Sequence, residues 1–160
     1  MGCGKSSVGK EVARILDLKF IDTDLEIEKR TGKKISEIFA ENGELFFRDL
    51  ETELCKELLN KDNMLISTGG GIVLRKENSD ILRKNGLIFL LRASAETTFE
   101  RIRHKKDRPL LQVENPMEKI NELLEKREEF YEYAGDFEII TDGRDILDIA
   151  EEIRKIYLSN

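Results

Sequence analysis

The chain opens Met1-Gly2-Cys3-Gly4-Lys5-Ser6-Ser7 and passes at once into a stretch with helical periodicity. Gly-Lys-Ser at a helix start is the second half of the phosphate-binding pattern Gly-x-x-x-x-Gly-Lys-[Ser/Thr]. Such a loop constrains a fold severely. It needs a strand feeding a glycine turn, then a helix whose unsatisfied N–H groups face the anion. A lysine there reaches the β- and γ-phosphates, and the hydroxyl ligates Mg2+. Those parts fall to Lys5 and Ser6, with Gly2 and Gly4 supplying bare backbone and Cys3 and Ser7 completing the loop. A glycine-rich tail before a helix is the plainer reading of the same residues. The first glycine of the pattern would fall five residues before Gly4, ahead of Met1, and no strand precedes the loop. The expectation is that the first, central strand is missing from this chain and that the natural protein extends upstream.

At 160 residues, a single domain over residues 1–160 is expected. No apolar run approaches the roughly 20 residues of a membrane span, and the glycine-rich start has no signal-peptide character. Two cysteines, Cys3 and Cys55, make no disulfide framework and lack metal-ligand spacing. A reducing cytoplasm fits best. A net charge of −6 argues against nonspecific nucleic-acid binding, although a local arginine cluster can still hold a small anion.

Helices and short strands alternate, which predicts an α/β domain with a parallel sheet flanked by helices on both faces. Helices are expected over 6–16, 23–30, 35–42, 44–60, 77–84, 95–103, 116–134 and 146–158. Strands are expected over 19–22, 64–67, 87–91 and 137–140. The run Leu87-Ile88-Phe89-Leu90-Leu91 is apolar throughout, as for a strand covered on both faces. In the 44–60 helix the apolar stripe is Phe47, Leu50, Leu54 and Leu58. Residues 104–115 show no clear periodicity, and the segment of about 103–116 is expected to act as a mobile lid.

Several constellations carry chemistry. Asp22-Thr23-Asp24 puts two carboxylates at the C-terminal end of a strand, where ligands bind in open α/β sheets. Capping of the next helix by Asp22 or Thr23 is the bland alternative. Gly69-Gly70-Gly71 follows an apolar strand and leaves a backbone that a ligand can approach closely; a flexible turn is the alternative. Arg127 falls within the apolar stripe of its helix, between Ile120 and Ala134, so its guanidinium needs an anionic partner. That partner is either a buried salt bridge or a ligand carboxylate or phosphate. Arg48 flanks the Phe47 stripe with the same ambiguity. Arg101, Arg103 and Arg108 surround Lys105 and Lys106, which suits a lid over polyphosphate or simply a solvated loop. His104 reads as a surface residue, Cys3 carries no sign of a nucleophile, and Tyr131 and Tyr133 read as packing and rim residues.

Taken together, Gly4-Lys5-Ser6, Asp22-Thr23-Asp24, Gly43-Glu44 with Phe47-Arg48, Gly69-Gly70-Gly71, Arg108-Pro109-Leu110-Leu111 and Arg127 before Tyr131 make the chain resemble the shikimate kinases along its whole length. The resemblance implies a P-loop NTPase-like fold and transfer of the ATP γ-phosphate to the 3-hydroxyl of shikimate, on the way to chorismate. It implies that Lys5 holds phosphates, that Ser6 and Asp22 serve Mg2+, and that Asp24 binds shikimate hydroxyls and accepts the attacking proton. Arg48 and Arg127 would grip the shikimate carboxylate, backed by Gly69, Gly70 and Gly71, with a substrate-binding helical subregion over about 23–51. Arg108 would meet the transferring phosphoryl group, Arg101 would lie against adenine, and Arg144 would join the nucleotide site. Many members carry a proline near the adenine, whereas Asp142-Gly143-Arg144-Asp145-Ile146 has none and offers Ile146 as the apolar contact. A cytoplasmic monomer acting on shikimate and ATP, with neither nucleic acid nor membrane as partner, is expected. Two other readings remain open: a gluconate-like or nucleoside monophosphate kinase, and a non-catalytic module that binds shikimate.

Overall fold

Each strand is four residues long, and each pairs in parallel with one other. The computed structural model describes residues 2–103 and 115–160. Helix α1 spans Lys5–Ile15, followed by β1 (Lys19–Asp22), α2 (Thr23–Thr31) and α3 (Ile35–Leu58). Next come β2 (Met64–Ser67), a 3-10 turn at Ile72–Leu74, α4 (Lys76–Arg83) and β3 (Phe89–Arg92). The chain finishes with α5 (Ala95–Ile102), α6 (Pro116–Ala134), β4 (Phe137–Ile140) and α7 (Ile146–Leu158). The lid expected over about 103–116, with Arg108 in it, lies almost wholly outside the described residues.

Strand β1 pairs with β2 from Lys19 opposite Met64 to Asp22 opposite Ser67. Strand β3 pairs with β4 from Phe89 opposite Phe137 to Arg92 opposite Ile140. Among the described residues no strand hydrogen-bonds the two pairs together. A parallel strand needs a crossover to return in register, and α2–α3 and α5–α6 supply the two crossovers here. Strand period two then sorts the side chains. Leu65 joins Val8, Val12, Ile139, Ile149, Ala150 and Ile153 under α1 and α7. Met64 and Ile66 join Ile27, Ile38, Phe47, Leu54 and Leu58 under α2 and α3 on the other face. Helices therefore cover both faces, as expected. The first cluster also takes Phe89 and Leu91, so one core serves both strand pairs.

The two helices expected over 35–42 and 44–60 are both present within α3, separated by the non-helical Gly43, where φ is 82° and ψ 173°. Only glycine adopts that backbone without strain. Strand β3 is not covered on both faces: Leu87 is 38% exposed and all four strand residues are half-buried. The reason is local, because Ile88 to Arg92 line a cleft on one side.

Candidate active site

The cleft holds about 180 Å³ and is walled by Cys3 and Lys5, by Gly69 and Gly70 beyond β2, and by Glu128 and Tyr131 of α6. Gly2 and Gly4 both adopt left-handed backbone, with φ of 69° and 91°. Glycines at positive φ on either side of Cys3 turn successive N–H groups inward, the arrangement that binds anions. Gly4 then caps α1, and Lys5 is its first residue. A Cβ at Gly2 would sit 3.0 Å from the Thr98 methyl, so this loop is packed on α5. The Lys5 ammonium donates to the Cys3 sulfur at 3.5 Å. Burial pushes the pKa of that thiol up, but the Lys5 charge, the hydrogen bonds from Lys5 and the terminal amino group together bring it below its ordinary value. Lys5 is thus aimed back over its own loop. Ser6 and Ser7 are exposed on the first turn.

The Ser6 hydroxyl donates to Asp22 Oδ2 at 2.7 Å, and the Ser67 hydroxyl lies 3.5 Å from it. Asp22 Oδ1 accepts the N–H groups of Asp24 and Leu25 at 3.1 and 3.4 Å. Asp22 caps α2 with one oxygen, and its other oxygen meets Ser6. A hydroxyl beside a carboxylate oxygen, at the end of a phosphate loop, fits Mg2+, which keeps most of its water and takes few protein ligands. Among the described residues there is no group of three or more His, Cys, Asp or Glu side chains that would suit a more heavily ligated metal.

The glycine turn is packed tightly rather than flexible. A Cβ at Gly69 would lie 2.5 Å from Asp24 Oδ1. A Cβ at Gly71 would lie 2.6 Å from both Nη atoms of Arg48. The glycines are therefore needed for two of the predicted site residues to reach the backbone. Gly69 N–H donates to the Thr23 hydroxyl at 3.1 Å, and the Tyr131 hydroxyl donates to the Gly70 carbonyl at 2.9 Å.

Arg48 is 8% exposed. Its Nη1 donates to Glu51 at 2.7 Å, while Nε and Nη2 donate to Glu44 at 3.2 and 2.8 Å. Burial works against the Arg48 charge, and Glu51 and Glu44 override it, raising its pKa. Glu51 is 1% exposed. Burial raises its pKa despite Arg48, with Asp24 adding to the rise and Arg127 opposing it. The three charged residues among the predicted shikimate ligands thus act electrostatically on one buried carboxylate. Glu51 Oε1 has no hydrogen-bond partner among the described residues. Arg127 is half-buried rather than fully inward, and among the described residues it has no hydrogen-bond or ion-pair partner. Its neighbour Glu128 instead pairs with Arg92, at 2.6 Å.

Two predicted nucleotide residues have other partners. Arg101 donates to the Thr141 hydroxyl and carbonyl at 3.0 and 2.8 Å. Its edges hold the chain beyond β4, and only its face is available for adenine. Arg144 binds the Ile140 carbonyl at 3.1 Å and Glu152 at 2.6 Å, which closes the 141–145 turn. Ile146 is 44% exposed beside it.

Alanine at position 71 should force the Arg48 fork off its mark. The guanidinium cannot swing aside freely, because Glu51 pins it from below. A displacement of about 1 Å at a positioning group costs about 10²-fold in rate, so kcat/KM for the site's ligand should fall by about that factor. Steady-state kinetics of Gly71→Ala check it, and a loss under threefold would show that the close packing is not functional.

Comparison with known proteins extends these observations. The shikimate kinase family profile matches residues 1–157. The shikimate kinase of Thermodesulfovibrio yellowstonii is 54% identical, across 100% of this chain and 93% of its own length. That of Caldanaerobacter subterraneus is 46% identical, across 99% and 92%. Among solved structures, shikimate kinase from Acinetobacter baumannii in complex with shikimate superposes with a TM-score of 0.94 at 38% identity, covering 100% of this chain and 89% of that one. A gluconokinase from Sinorhizobium meliloti, at 16% identity and a TM-score of 0.57, shares the fold alone.

Proposed function

The chain belongs to the shikimate kinase family, and on that premise we propose that it transfers the γ-phosphoryl group of ATP to the 3-hydroxyl of shikimate. One observation carries the reading. Asp24 and Arg48 press on the same bare glycine turn, and Arg127 shares with them the buried Glu51. Two guanidinium groups that both act on one buried carboxylate beside the glycine turn suit a ligand carboxylate, which each can grip through a planar fork. Shikimate's carboxylate displaces the solvent-exposed Glu44 from Arg48 and pairs with Arg127. Glu51 keeps hold of Arg48 from the buried side. Asp24 binds ring hydroxyls and takes the proton of the attacking oxygen as its bond to the γ-phosphorus forms and the bond to the β-phosphate oxygen breaks.

Lys5 leaves the Cys3 sulfur for the β- and γ-phosphates, with the N–H groups of Gly2, Cys3, Gly4, Ser6 and Ser7 around them. Ser6 and Asp22 hold Mg2+, whose charge neutralises the phosphates when bound. Arg101 and Arg144 frame the nucleotide end, and Arg108 serves the transferring phosphoryl group. Residues 23–51 are the substrate-binding subregion of a single domain. The protein works as a monomer in the cytoplasm, with neither nucleic acid nor membrane as partner. Among the described residues no helix is long and apolar enough to cross a membrane.

A coupled assay of ADP release should show shikimate as the preferred acceptor over gluconate and nucleoside monophosphates, and chelation of Mg2+ should reduce turnover to background. Preference for another acceptor would overturn the substrate assignment. Calorimetric binding of shikimate without binding of MgATP would make the protein a non-catalytic module instead.

A further inference from the structure

The Gly69–Gly71 turn has no side chains of its own to hold it, yet two residues at the site bind its backbone from opposite sides. We propose that Thr23 and Tyr131 are positioning residues for the acceptor substrate, acting as a clasp on this turn. The inference rests on the reading that Asp24, Arg48 and Arg127 seat shikimate.

Three glycines in sequence offer the backbone many conformations. A turn that must present one fixed surface to a ligand therefore needs outside restraint. Thr23, 1% exposed, supplies it from α2, where its hydroxyl accepts the Gly69 N–H at 3.1 Å. Tyr131 supplies it from α6, donating its hydroxyl to the Gly70 carbonyl at 2.9 Å. Each lies next to a proposed shikimate ligand. Thr23 precedes Asp24, and Tyr131 follows Arg127 by one helical turn, on the same face of α6. The two bonds thus join the segments bearing Asp24 and Arg127 through the turn that Arg48 touches.

The turn has little room to move without disturbing the ligands. The space beside Gly69 is filled by the Asp24 carboxylate, and that beside Gly71 by the Arg48 guanidinium. Rotation of the Gly69 or Gly70 peptide would carry into both groups. A packing role for Tyr131 needs only its ring and would be met equally by phenylalanine. A packing role for Thr23 would be met by valine. The hydroxyls are what bind the glycine peptides, and both point at the same turn.

The test compares Tyr131→Phe, Thr23→Val and Thr23→Ser with Arg48→Lys in the intact chain. The readouts are KM for shikimate, KM for MgATP, kcat, and the thermal unfolding midpoint without ligand. Loss of one such hydrogen bond should raise the shikimate KM by about fivefold to tenfold, with the MgATP KM within about twofold. Thr23→Ser keeps the acceptor oxygen and should restore the shikimate KM. Calorimetric shikimate affinity should follow the KM. The clasp is overturned if Tyr131→Phe and Thr23→Val leave the shikimate KM unchanged while Arg48→Lys raises it. It is equally overturned if both variants lower the midpoint and raise both KM values together, since that is a purely structural role. If Arg48→Lys also leaves shikimate affinity unchanged, the seating of shikimate falls, and the clasp with it.

Discussion

Asparagine at position 24 will slow phosphoryl transfer by about 10²–10⁴ in kcat, the range general-base catalysis contributes. The substitution preserves size and shape, so the side chain can still lie against Gly69, where the native Oδ1 is close enough to exclude any Cβ. Hydrogen bonds from ring hydroxyls also survive, because the amide oxygen accepts them. What is lost is a site for the proton of the attacking hydroxyl. The shikimate KM should therefore change far less than kcat, the signature of an interaction made mainly in the transition state. Asp22 does not substitute for it, because its oxygens are engaged by Ser6 and by the N-terminus of α2. Single-turnover rates with saturating shikimate and MgATP check the prediction. A kcat within threefold of the native protein would remove Asp24 as the proton acceptor and leave it a binding residue.

How far such assignments were legible in the sequence depends on the range of the interaction involved. Strands β1, β2 and β4 and helix α6 match the sequence expectation residue for residue. Each is bounded by a local signal, such as Pro116 opening α6 or the glycines after β2. Strand β3 starts at Phe89 rather than Leu87, because an apolar run signals burial and Leu87 is apolar yet 38% exposed. The packing of Asp24 and Arg48 against Gly69 and Gly71 brings together residues that the sequence marks separately by type and position. Glu51 was missed, although a signal existed. Phe47, Glu51, Leu54 and Leu58 are spaced four, three and four, which is a helix's buried face, and all four are buried. The expected stripe took Leu50 in place of Glu51 because Leu50 is apolar. A carboxylate on that face, three residues after an arginine on the same helix, was readable as an internal pair. From the sequence Tyr131 reads as packing, and nothing local says otherwise, since its partner Gly70 is 61 residues away. Arg101 and Arg144 have structural partners that the sequence did not signal. The chain after β4 has carbonyls that need donors, and these two arginines meet that need at Thr141 and Ile140.

Removing Glu51 should be among the most damaging changes to stability. Glu51→Ala deletes the carboxylate that binds Arg48 Nη1 and leaves the buried guanidinium with Glu44, whose side chain is 59% exposed. Breaking a buried pair by removing one partner costs about 3–5 kcal/mol, against a total of about 5–15 kcal/mol for a domain. The pH dependence separates this charge effect from a simple cavity. Burial raises the Glu51 pKa above its ordinary 4.5. The native state therefore holds that proton more tightly than the unfolded chain does. The Glu51 contribution to stability is fully present below pH 4.5 and declines as pH rises from there through the raised folded value. Glu51→Gln keeps an acceptor for Arg48 but cannot ionise. It should lose less stability than the alanine variant and show a flatter stability profile above pH 4.5 than the native protein. Urea unfolding of the three proteins at mildly acidic and neutral pH decides. An alanine variant within about 1 kcal/mol of native, the size of an ordinary surface change, would mean that Arg48 is held by something other than this carboxylate.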